Sequence, residues 1–103
     1  MKRNSISGIH ILAFIIVCAS ALLGQAPQEK TVTVFGAKIN YVEAGDPAKP
    51  KVILLHGLGG STANWVLNAP AIAQTYHVFA LDQVGFGRSD KPALKYRVGT
   101  FVD

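Results

Sequence analysis

The chain has 103 residues, of which half are hydrophobic, and carries one cysteine and a formal net charge of +4. That length leaves room for one small domain at most. No run of basic residues and no basic helical face with interleaved aromatics occurs, which excludes a nucleic-acid surface, and a lone thiol with histidines at no ligand spacing excludes a disulfide framework and a metal site.

Lys2 and Arg3 form a positive start, followed by an apolar stretch from Ile11 to Leu23 that only Cys18 and Ser20 interrupt. Ala19-Ser20-Ala21 has the small-x-small spacing of a signal-peptidase site, and Gly24-Gln25-Ala26 repeats it less suitably, because Pro27 follows. The run is shorter than the roughly 20 residues that span a bilayer core. Residues 1–26 therefore read as a signal peptide, or alternatively as a membrane anchor holding the protein through residues 9–23. The expected location is secreted or periplasmic, with membrane anchoring as the alternative. Cys18 lies within this leader, so a cleaved chain would carry no thiol.

After a polar linker from Gln25 to Lys30, residues 27–103 read as part of an α/β domain. Thr31–Val34 and Lys38–Glu43 alternate in polarity and are joined across Phe35-Gly36-Ala37, which predicts an antiparallel hairpin over 31–44. Gly45–Pro50 is dense in turn residues and reads as a surface loop. Lys51–Leu55 is a continuous aliphatic run, the pattern of a strand buried on both faces of a parallel sheet.

His56-Gly57-Leu58-Gly59-Gly60 then forms a glycine-rich turn. Ser61 or Thr62 can cap a helix running through Trp65, Leu67, Ala71 and Ile72 toward Gln74, which Asn68-Ala69-Pro70 kinks or splits. A second buried strand over 77–81 ends at Asp82, with His77 read as a surface residue. Strand, helix and strand in this order predict a right-handed βαβ unit following the hairpin. Tyr96–Asp103 reads as the opening of another helix. A two-stranded parallel unit leaves one face without a second layer, so the sheet reads as incomplete.

Two loops carry the chemistry. Glycines after the first buried strand let main-chain N–H groups converge on one point, as stabilisation of a developing oxyanion requires. The loop from Asp82 to Asp90 sits at the same carboxyl edge, where open α/β sheets bind ligands.

His56-Gly57-Leu58-Gly59-Gly60, Trp65 nine residues after the histidine, and Asp82-x-x-Gly85-x-Gly87-x-Ser89-Asp90 together resemble the first third of the α/β-hydrolase superfamily. Within it the chain is similar to the branch of epoxide hydrolases, haloalkane dehalogenases, carbon–carbon-bond hydrolases and small esterases. The resemblance implies a hydrolase that acts on a small-molecule substrate without a cofactor. It points to Leu58 as a backbone oxyanion donor, with Gly57 and Gly59 shaping the loop, and to His56, Trp65, Asp82, Gly85, Gly87 and Ser89 as pocket or loop residues. The nucleophile, acid and histidine of such an enzyme come later in the chain, so these 103 residues alone are expected to be inactive.

Ser61 lies too far beyond its strand to be an elbow nucleophile, and helix capping is its expected role. Ser89 stands in G-x-G-x-S and is expected to bond within its loop. Asp82 is expected to orient the turn through backbone N–H groups. One rival from another class is a Rossmann-type dinucleotide-binding module: Gly57-x-Gly59-x-x-Thr62 approaches its fingerprint, and Asp82 falls where a ribose-binding acid would stand.

Overall fold

Alternation in the first half of the chain is resolved into an antiparallel ribbon. In the computed structural model, which describes residues 26–102, β1 (Gln28–Val34) pairs with β2 (Ala37–Ala44), Gln28 opposite Glu43 and Val34 opposite Ala37. The connection is the two-residue turn Phe35-Gly36, with φ of 47° and 79°, a mirror-image turn whose twist matches that of the strands. β1 begins at Gln28, three residues before the alternating stretch, so the expected linker over 25–30 is in part strand. The leader assigned to residues 1–26 lies, but for Ala26, outside the described residues. No helix among the described residues is long and apolar enough to cross a membrane.

β3 (Lys51–Leu55) and β4 (His77–Leu81) are parallel neighbours, from Lys51 opposite His77 to Leu55 opposite Leu81. β2 joins them by running antiparallel to β4, with Tyr41 opposite Leu81 and Ala44 opposite Val78, and the sheet order is β1-β2-β4-β3. This register sets one face. Ala44, Val78 and Val52 lie in one cross-strand row and Val42, Ala80 and Leu54 in the next. That face is covered by Ala69, Ala73, Trp65 and Ile72.

The helix expected through Trp65 is split at Asn68-Ala69-Pro70 into two short pieces. Thr62–Trp65 is a 3-10 turn capped by Ser61, whose hydroxyl accepts from the Ala63 N–H while the Asn64 side chain accepts from the Ser61 N–H. α1 (Ala69–Ile72) follows as a separate helix with Pro70 in its first turn. Proline lacks the N–H that would continue the earlier turn and disfavours helical geometry at the residue before it. The alanines of α1 bring its backbone close to the sheet. The opening helix expected at 96–103 is a 3-10 turn, Val98–Phe101.

Two expectations are corrected by burial. β3 is not covered on both faces: Ile53 and Leu55 are 63% and 58% exposed, on the side of the sheet opposite α1. His77 is not at the surface; it is 5% exposed, packed 4.4 Å from Phe79, and its Nε2 lies 2.7 Å from the Glu43 carboxylate. The Lys30 ammonium holds the other Glu43 oxygen, so a short polar chain runs across the amino-terminal edge of the sheet.

Candidate functional site

Parallel pairing of β3 and β4 places the loops that follow them side by side at one sheet edge. His56, buried directly after β3, links the two. Its Nε2 accepts the main-chain N–H of Gln83 at 3.0 Å, which makes Nδ1 the protonated nitrogen; Nδ1–H donates to the Gly57 carbonyl at 2.7 Å. The Gln83 side chain returns a bond to the His56 carbonyl at 2.6 Å, and Phe86 meets the imidazole edge-on at 5.5 Å. Both ring nitrogens are thus committed to holding backbone, and the ring is placed as a clamp rather than as a base.

The Gly57 carbonyl also accepts from the Gly60 N–H at 3.0 Å, closing a tight turn with Leu58 and Gly59 at its apex. Leu58 is 96% exposed, and its main-chain N–H has no partner among the described residues. The loop therefore presents a donor on a backbone held from behind.

Asp82, 1% exposed, is the hub beneath the second loop. One carboxylate oxygen accepts from the Thr62 N–H at 2.7 Å; the other accepts from the Arg88 N–H and from the Asn40 side-chain amide, both at 2.9 Å. Burial pushes this carboxyl up, but the hydrogen bonds from Arg88, Thr62 and Asn40, with the neighbouring His56, outweigh it, and the group lies below its ordinary value. Bringing Arg88 back onto Asp82 requires the chain to reverse within six residues. Gly85 and Gly87 do this at φ of 89° and 54°. A side chain at Gly87 would strike the Asp82 carboxylate, and one at Gly85 would strike the Tyr96 ring. Ser89 accepts from the Asn40 N–H at 2.8 Å and donates to the Asp82 carbonyl at 2.5 Å, tying the loop to β2.

Six of the nine sequence-derived site residues line two separate concavities, and Gly59, Gly85 and Ser89 line neither. His56, Gly57 and Leu58 share an open groove of about 450 Å³ with Gln83, Phe86 and Tyr96. Trp65, Asp82 and Gly87 instead line a cavity of about 350 Å³ on the α1 side, with Ser61, Thr62 and Arg88. Trp65 is half-buried against the core, and its buried indole N–H is unpartnered among the described residues. Sequence reasoning missed Asn40, Gln83 and Phe86. Asn40 left a signal, an amide inside an alternating strand; Gln83 and Phe86 left none.

Among the described residues no cluster of three candidate ligands could hold a metal. Asp82 speaks against the dinucleotide reading: its carboxylate is 1% exposed and is bonded to Thr62, Arg88 and Asn40 of the protein itself.

Comparison with known proteins agrees with this geometry. Residues 50–103 match a family described as alpha/beta hydrolase fold. Epoxide hydrolase A of Mycobacterium tuberculosis is 44% identical over 68 residues, 65% of this chain and 21% of that protein. The 2-hydroxy-6-oxo-6-(2'-aminophenyl)hexa-2,4-dienoic acid hydrolase of Metapseudomonas resinovorans is 41% identical over 71 residues, 66% of this chain and 24% of that protein. Among solved structures, a bacterial membrane phospholipase A superposes with a TM-score of 0.70 at 32% identity, over 90% of this chain and 31% of that one. The chain thus spans about a fifth of the length of the curated relatives it matches. A mixed sheet in the order β1-β2-β4-β3, glycine loops at the carboxyl edge and a family match over more than half its length make this chain a member of the α/β-hydrolase fold family.

Proposed function

We propose that the chain is the amino-terminal part of an exported hydrolase that cleaves an ester, epoxide or carbon–carbon bond in a small organic substrate. In this reading the Leu58 main-chain N–H is one oxyanion donor, and the nucleophile, acid and histidine come from residues beyond Asp103. The observation that carries it is the Leu58 N–H, without a partner among the described residues, at the apex of a turn that His56 and Gln83 hold from behind. A donor fixed before the reaction needs no reorganisation when negative charge develops on the substrate oxygen. The two curated relatives named above are both hydrolases by name and differ in the bond broken, which supports the reaction type more strongly than any one substrate.

The test is made in the enzyme that carries this segment. Leu58→Pro deletes the donor and should lower kcat by about 10²-fold or more, whereas Leu58→Ala, which keeps the N–H, should change it far less. Circular dichroism on both variants separates loss of the donor from loss of the fold. A folded Leu58→Pro enzyme with normal kcat would overturn the oxyanion assignment. Export is tested separately by fusing residues 1–30 to a reporter active only outside the cytoplasm; a signal confined to the cytoplasm would refute the leader.

A further inference from the structure

The antiparallel pairing of β2 with β4 directs the β1–β2 hairpin past the carboxyl ends of β3 and β4. Tyr41 is level with Leu81, the last residue of β4, so the tip at Phe35-Gly36 projects roughly 15 Å beyond it at about 3.3 Å per residue. The tip stands beside the second loop of the candidate site, which is bonded to β2 through Asp90 and Lys38. Phe35 holds a left-handed backbone at φ 47° and is 100% exposed. A bulky aromatic in that conformation costs on the order of 1 kcal/mol, which Asn or Gly would avoid, and Phe35 recovers none of it by burial among the described residues.

Charge is distributed unevenly along the same axis. Lys38, Lys91, Lys95 and Arg97 are exposed at the carboxyl edge or on the segment that borders it, with Asp90 as the one exposed acid there among the described residues. Elsewhere the charges nearly cancel: Lys30 is paired with Glu43, Arg88 with Glu29, and Lys49 and Lys51 are accompanied by Asp46. The apolar side chains Val34, Leu94 and Leu58 accompany the cations. An exposed aromatic tip with Lys38 beside it on the hairpin and Lys91, Lys95 and Arg97 on the neighbouring segment suits insertion into a headgroup layer, and the like charge of this edge opposes pairing with a second copy.

We propose that the Phe35 hairpin tip docks onto an anionic lipid surface, turning the carboxyl edge toward the membrane. With the site reading above, this makes amphiphilic molecules drawn from that surface the substrate class. The docking itself does not depend on catalysis.

The probe is the indole introduced by Phe35→Trp, read against the Trp65 background of the parent, with vesicles of phosphatidylcholine containing phosphatidylglycerol and with vesicles of phosphatidylcholine alone. Brominated lipid should quench the new indole and its emission should shift to the blue on the anionic vesicles. Because the indole reports its own depth, attachment through the leader alone gives no such signal. Lys38→Gln and Lys95→Gln should each weaken the anionic preference about fivefold. Phe35→Asn, which tolerates the turn, should lower partitioning about tenfold while leaving the hairpin folded. Emission that stays water-like on vesicles carrying the protein, equal quenching on uncharged vesicles, or a shift that grows with protein concentration without vesicles would each overturn the proposal. An enzyme that passes this test while a folded Leu58→Pro variant keeps normal kcat would retain the docking surface and lose the oxyanion assignment.

Discussion

Replacing Asp82 by Asn separates the charge of the hub from its shape. One carboxylate oxygen serves Thr62 and the other serves both Arg88 and Asn40, and an amide can offer only one oxygen. With that oxygen toward Arg88 and Asn40, the Thr62 N–H faces an NH₂ group; with the oxygen toward Thr62, the Arg88 N–H does, even if Asn40 turns its own amide to compensate. At least one part-buried donor is orphaned, at about 1–3 kcal/mol, and the remaining bonds lose the reinforcement of a full negative charge. Asp82→Asn should therefore destabilise the protein by roughly 3 kcal/mol at neutral pH. The pH dependence has a definite sign. Because the folded state lowers this carboxyl below its ordinary 3.8, its stabilisation is complete above that value and is lost as pH falls through the lower folded one. Urea midpoints measured from neutral to acid pH should show a gap between parent and variant that closes below pH 3.8. Parallel curves, or a neutral gap under about 0.5 kcal/mol, would refute the account of Asp82 as a charged hub.

Gly87→Ala meets both a left-handed backbone and the Asp82 carboxylate, so it should cost roughly 2 kcal/mol or more in urea unfolding; because Asp82 must yield to the new methyl, the Arg88 amide should exchange faster as well. His56→Phe preserves a ring against Phe86 but removes both nitrogens. It should leave global stability within about 2 kcal/mol while raising amide exchange at Gln83 and Gly60 and lowering kcat of the enzyme about tenfold through loss of loop geometry. Unchanged exchange at Gln83 would show that the imidazole does not hold the loop.

The strands were legible where burial imposes a pattern and illegible where it does not. β2 alternates because one of its faces meets the core through Val42 and Ala44. The start of β1, Gln28 to Lys30, is exposed throughout, so nothing in its composition marks it as strand; pairing with β2 and the Glu29–Arg88 ion pair hold it. β3 read as buried on both sides because Ile53 and Leu55 are as apolar as Leu54, yet composition states which residues favour burial and not whether a second layer is present to bury them. The helix was legible in its break but not in its shortness. The stretch from Trp65 to Ile72 reads as a helix that Asn68-Ala69-Pro70 kinks or splits; with Pro70 interrupting the hydrogen-bond ladder it becomes two short turns, and Leu67 is left at the surface.

The loop after β4 shows what a local pattern can encode. Asp82, Gly85, Gly87 and Ser89 form one unit held within eight residues: the carboxylate captures the N–H of Arg88, the two glycines permit the reversal that brings it there, and the Ser89 hydroxyl closes on the Asp82 carbonyl. Such a turn is readable because each requirement falls on a residue near the others. The bonds that orient it against the rest of the fold are not local. Asn40 lies 42 positions before Asp82, and Gln83 lies 27 after His56. Strand pairing sets both distances in space: β2 beside β4 brings Asn40 under the carboxylate, and β3 beside β4 brings His56 to the Gln83 N–H. Spacing in the chain therefore identifies the two loops, while sheet order determines that they are clamped to each other, and a rigid Leu58 donor depends on that second fact.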